Sequence, residues 1–164
     1  MDSISYHVLI VDDSEVIRKI LVALFSKHGH LCETAKDGLE ALDKIEKNRY
    51  DAVITDFEMP RMNGILLTKA LLRKNPHLPI LVMTGFTRDY KIGTAMGIGA
   101  RDFIKKPFSS DELIMRFKVM MHGQKIRAKL MEDKEMNCVG LIDGFPTEEK
   151  APGITASRGT PIKT

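Results

Sequence analysis

The sequence has no tryptophan, aromatic residues make up only 6% of it, and cysteine occurs twice, at Cys32 and Cys138. Two distant cysteines form no disulfide framework and have no metal-ligand spacing, which fits a reducing compartment. No apolar run reaches the roughly 20 residues a membrane span needs, and the start, Met1-Asp2-Ser3-Ile4-Ser5-Tyr6, lacks the basic and apolar stretches of a signal peptide. A cytoplasmic protein without membrane contact is expected. Charge of one sign is also missing: 25 Lys and Arg against 22 Asp and Glu give a net +3, a mixed surface and not a nucleic-acid footprint.

What is present is enough for one folded domain and an appendage, with 43% hydrophobic residues in 164. His7 to Val11 is an apolar, β-branched run ending in Asp12 and Asp13, and it predicts a strand buried on both faces. Ile17, Ile20, Leu21, Leu24 and Phe25 recur at helical spacing and predict the inward stripe of a helix stopping near Gly29. Leu31 to Ala35 suits a second strand. Asp37 with Glu40 resembles a capping box, opening a short helix with Leu39, Leu42 and Ile45 inward.

Asp51 to Asp56 predicts the third strand, which presents Asp56 at its end rather than burying it. Leu67, Ala70 and Leu71 mark a helix ending before Pro76, since proline disfavours helical geometry in its predecessor. Pro79 to Thr84 predicts strand four, residues 88–97 a weaker helix, and Asp102 to Lys105 strand five. Ser109 with Glu112 opens a last helix through Leu113, Phe117, Met120 and Met121, while Met115, Val119 and Ile126 make a second apolar face on it.

Five alternations of strand and helix with short connections predict a parallel sheet covered on both sides. Ligands of such sheets bind at the carboxyl ends of strands, where the sequence sets Asp12, Asp13, Asp56, Thr84 and Lys106. Clustered carboxylates repel one another, so a divalent cation with a preference for oxygen, magnesium or manganese, is expected. The cation together with Lys106 and Thr84 can hold a phosphoryl group, and Asp56 is then a nucleophile that forms an aspartyl phosphate. Taken singly each residue has a plainer use: Asp12-Asp13 as a helix cap, Asp56 as a turn former, Lys106 on the surface. Their coincidence at one sheet edge favours the chemistry.

Val11-Asp12-Asp13-Ser14, Asp56 with Met59-Pro60 and Asn63-Gly64, Val82-Met83-Thr84-Gly85, and Gly99-Ala100-Arg101-Asp102-Phe103-Ile104-Lys105-Lys106-Pro107-Phe108 stand in this order at strand ends. Over residues 7 to about 122 the chain resembles the receiver domain of two-component response regulators. The resemblance implies a flavodoxin-like, doubly wound five-stranded sheet of order 2-1-3-4-5. It makes Asp56 the phospho-acceptor and Asp13, Asp12, Asp56 and the Glu58 backbone carbonyl the metal ligands. It further implies Lys106 as the phosphoryl partner, Thr84 and Phe103 as the switch pair, and a cis bond at Lys106-Pro107.

On this reading the domain is no enzyme. It takes the phosphoryl group from a histidine kinase or phosphotransfer protein and remodels the face of its fourth helix, fifth strand and last helix. That face then serves an effector or a phosphorylation-dependent homodimer. Phe103 stands where tyrosine is frequent, and Glu58 lies where attacking water must arrive. An aspartate-nucleophile phosphatase is the alternative, opposed by Glu58 in place of a second Asp; a scaffold without phosphorylation is another. The expected organisation is a receiver over 1–122, a helical extension over 123–136, and a disordered tail over 137–164 without a second domain. Lys105 is expected in solvent, and His7, His28, His30, His77 and His122 at the surface or at strand edges.

Overall fold

The computed structural model describes residues 4–85 and 97–139, with side chains to residue 134. Strands β1 (His7–Val11), β2 (Leu31–Ala35), β3 (Ala52–Asp56), β4 (Ile80–Thr84) and β5 (Asp102–Lys105) form one parallel sheet in the order β2-β1-β3-β4-β5. Helices α1 (Glu15–Lys27), α2 (Gly38–Lys47) and α3 (Gly64–Lys74) follow β1, β2 and β3, and α4 (Ser110–Val139) follows β5. The expected helix over 88–97 and the tail from residue 140 lie outside the described residues, apart from Gly97. The chain divides into two compact units, Met1–Ala128, which holds the sheet, and Lys129–Thr164.

Strand alternation sorts the core into two layers. Val8, Ile10, Ile54, Leu81, Met83 and Ile104 point to one face, where Leu21 and Phe25 of α1 and Leu113, Phe117, Met120 and Met121 of α4 cover them. Leu9, Val11, Val53, Ile80, Val82 and Phe103 point to the other, under Ala41 of α2 and Leu67 and Leu71 of α3. Each large side chain removed fully from water contributes about 1.5–3 kcal/mol before chain entropy is charged against it. β3 is central and all five of its residues are buried, which is why it reads as a continuous apolar run and not as an alternating one.

Helix starts are set by side-chain caps. Ser14, Asp37 and Asn63 accept from the backbone N–H of Ile17, Glu40 and Leu66, each satisfying a donor that the helix leaves open. The Ser109 hydroxyl likewise accepts from Glu112 N–H at 3.1 Å. Two expected stripe positions are corrected. Ile20 is 55% and Leu39 48% exposed, because the helices turn Leu21 and Ala41 toward the sheet instead. A periodic pattern defines a stripe but not which edge of it meets the sheet.

Candidate functional site

The site lies at the carboxyl edge, where β1, β3, β4 and β5 end side by side. In-register pairing carries Val11 beside Thr55, Asp56 beside Met83 and Thr84 beside Lys105, so the residue after each strand emerges at one level. The ladder continues past the strands: Phe57 N–H donates to Met83 C=O and Lys106 N–H to Thr84 C=O, both at 2.7 Å. The second bond holds the start of the β5–α4 loop, in which Lys106-Pro107 is a cis peptide bond.

Lys106 Nζ stands 2.9 Å from Asp56 Oδ1 and 3.5 Å from Asp12 Oδ2. One carboxylate oxygen each from Asp12, Asp13 and Asp56 lies within 4.8 Å of the others. Asp12 and Asp56 are buried, Asp13 is exposed and so is Glu58; Thr84 is 2% exposed. The expectation that Asp56 is presented rather than buried is corrected: it is 8% exposed. As the last residue of the central strand it has neighbours on both sides, and the ammonium of Lys106 compensates its charge.

Burial pushes the Asp56 carboxyl above the usual carboxylate range, and the charge of Asp12 adds to this; the hydrogen bond and charge of Lys106 and the Phe57 amide oppose it without prevailing. For Lys106 burial disfavours the ammonium, yet the hydrogen bond and charge of Asp56, then those of Asp12, outweigh it and raise its pKa. The two directions are compatible: Lys106 gains from two carboxylates, whereas Asp56 has one cation against burial and a like charge. An all-oxygen donor set with excess negative charge suits a hard divalent cation better than a thiophilic one.

Three supporting contacts, made by Arg18, Gly64 and Arg61, were not assigned from the sequence. Arg18 Nη1 donates to the backbone carbonyls of Asp12 at 2.7 Å and Asp13 at 3.1 Å, pinning the β1–α1 loop while Ser14 N–H donates to Asp12 Oδ1 at 2.9 Å. The spacing from Asp12 to Arg18 held no signal for this, since the contact depends on the loop's path. Gly64 approaches β3 so closely that a Cβ there would sit 2.2 Å from the Asp56 carbonyl oxygen, so only glycine opens α3 at this place. Arg61, with φ of 67°, forms an ion pair with Asp37, tying the loop after β3 to the start of α2.

Of the expected switch pair, Phe103 is 9% exposed and packs inward with the α2–α3 layer, while Thr84 ends the neighbouring β4. Lys105 is exposed, as expected from alternation. His30 corrects the reading of the histidines: it is 8% exposed, enclosed by the rings of Tyr6, Phe25 and Phe117 at centroid distances of 5.2–6.0 Å.

The family model of the response regulator receiver domain matches residues 8–118. The response regulator MprA of Mycobacterium ulcerans is 34% identical over 137 residues, 84% of this chain and 57% of that protein. Among solved structures, chemotaxis protein CheY4 of Vibrio cholerae superposes with a TM-score of 0.68 at 34% identity, over 71% of this chain and 99% of that one. The receiver domain of Francisella response regulator 1452 does so at 0.67 and 32%, over 71% and 97%. The chain belongs to the response regulator receiver family and holds the receiver domain of a two-component signalling system. It spans about half the length of the curated relatives it matches. Among the described residues no helix is long and apolar enough to cross a membrane.

Proposed function

We propose that Asp56 accepts a phosphoryl group from a phosphohistidine on a histidine kinase or phosphotransfer protein. One observation carries this reading: an ammonium, Lys106 Nζ, bridges Asp56 and Asp12 at 2.9 and 3.5 Å beside a third carboxylate. An Asp56 oxygen forms the new P–O bond as the P–N bond to the donor imidazole breaks, and the electron pair stays on the imidazole nitrogen, which takes a proton from water. The carboxylates of Asp12, Asp13 and Asp56 and the Glu58 carbonyl would hold magnesium, or manganese, which when bound would supply charge to neutralise the transferring oxygens.

Lys106 then exchanges part of its bond to Asp56 for the phosphoryl oxygens, and the Thr84 hydroxyl donates to one of them. Phe103, on the strand beside Thr84, couples this movement to the outer face of β5 and α4, where an effector or a second copy reads it. The switch is a population shift driven by contacts made only by the phosphorylated form. Glu58, exposed two residues after the acceptor, sets the approach of water and hence the lifetime of the acyl phosphate.

Incubation with a small-molecule phosphodonor and magnesium is expected to yield one alkali-labile phosphoryl adduct that is lost in Asp56→Asn. A label that persists unchanged in Asp56→Asn, or that forms without a divalent cation, overturns the assignment.

A further inference from the structure

At the opposite, amino edge of the sheet lies a cavity of about 560 Å³ between the end of α1, the residues leading into β1 and β2, and α4. Tyr6, Phe117 and Met121 give it an apolar wall. Lys27, His28, His30, Lys118, His122 and Lys125 make up the rest of its chemistry, and among the described residues no carboxylate lines it. Lys19, Lys44, Lys47, Lys74 and Lys106 are held in ion pairs elsewhere in the molecule. Lys27, Lys118 and Lys125 have none among the described residues; Lys125 Nζ instead stands 5.9 Å from the centre of the Tyr6 ring.

A second, independent feature points the same way. Tyr6 N–H donates to His30 Nδ1 at 3.4 Å, which assigns the proton of the neutral ring to Nε2. That Nε2 is buried and has no hydrogen-bond partner among the described residues. Lys27, Lys118 and Lys125 are exposed around the cavity, so positive charge gathers there without a partner among the described residues. Burial, His28 and Lys118 also hold the His30 pKa down. An oxyanion is the group that this gathered positive charge attracts.

We propose that this cavity is a binding site for a small organic oxyanion, a phosphomonoester or comparable dianion carried on a flat apolar body. The charged group meets Lys27, Lys118 and Lys125, and the flat body lies against the Tyr6 ring. The volume falls within the range of small-molecule sites and exceeds what a bare ion fills. The site shares no residue with the carboxylate cluster and stands whether or not Asp56 is phosphorylated.

The test uses the full chain carrying Asp56→Asn, without divalent cation, so that the carboxyl edge cannot take up the probe. 1-Naphthyl phosphate is titrated by calorimetry and by proton NMR of the imidazole signals. Saturable binding that moves the signals of His28, His30 and His122 is expected. Lys118→Ala with Lys125→Ala, both exposed, is expected to weaken it about tenfold, as loss of charge-assisted contacts does, while Lys69→Ala on α3 leaves it unchanged. 1-Naphthol alone and inorganic phosphate alone are each expected to bind about tenfold more weakly than the joined probe. Absence of saturable binding, equal affinity in the double variant, or equal affinity for either half-probe overturns the proposal.

Discussion

The two edges of one sheet solve opposite electrostatic problems with the same backbone. At the carboxyl edge, Asp12 and Asp56 are buried with donors set against them, Lys106 Nζ to both and Ser14 N–H to Asp12. At the amino edge, His30 is buried neutral among Tyr6, Phe25 and Phe117, and the cations around it stay at the rim. Burying a charge requires compensating partners, whereas burying a neutral imidazole requires mainly that rings fill the space around it. The carboxyl edge is therefore organised by hydrogen bonds and charge, and the amino edge by packing.

That contrast can be broken most forcefully at Phe117. It is fully buried and meets Phe25 edge-on at 4.9 Å, so Phe117→Ala is expected to cost about 3–5 kcal/mol in urea unfolding. If instead the amino edge tolerated that truncation, packing would not be what holds it. Next comes Gly64→Ala, where the added Cβ must displace the Asp56 carbonyl. A loss of about 1–3 kcal/mol is expected, with a lower yield of Asp56 phosphorylation under the same donor and magnesium.

Arg18→Ala removes donors from the Asp12 and Asp13 carbonyls but leaves every carboxylate in place. A stability loss of about 0.5–1.5 kcal/mol is expected, together with weaker magnesium binding measured by calorimetry. Unchanged magnesium affinity would mean that the β1–α1 loop holds its shape without Arg18.

The smallest effect concerns pH. Burial, then the charges of His28 and Lys118, lowers the His30 pKa below its ordinary 6.5. Above that value both folded and unfolded chains carry a neutral ring, and His30 contributes no pH dependence. As pH falls through it, the unfolded chain takes up the proton first, so stability declines until the folded pKa is reached. Melting temperatures between about pH 7.5 and about pH 5 are expected to fall less in His30→Phe than in the parent protein. Parallel curves for the two proteins would show that His30 is protonated as readily inside the fold as outside it.

Much of this was legible in the residues because local chemistry and tertiary role coincide. β-Branched runs closing on Asp12, Asp56 and Thr84 can be buried only as central strands, and Asp37 and Ser109 cap helices through bonds confined to one turn. The helix faces were less legible. Ile20 and Leu39 fit the period as well as Leu21 and Ala41 do, and only docking on the sheet selects between them. Arg18, which depends on a loop path, and Gly64, which depends on how near α3 comes to β3, are decided at the same level.

By itself the sequence determined the order of strands and helices, the parallel sheet, and the set of groups delivered to its carboxyl edge, because periodicity and strand-end chemistry are local properties. Only the tertiary structure decided that Asp56 is buried rather than presented, that Lys106 bridges two carboxylates, and that His30 lies among three rings beside a cationic cavity. Burial and electrostatic coupling are set by what neighbouring strands and helices bring within a few ångströms, and that proximity is written in no single stretch of the chain.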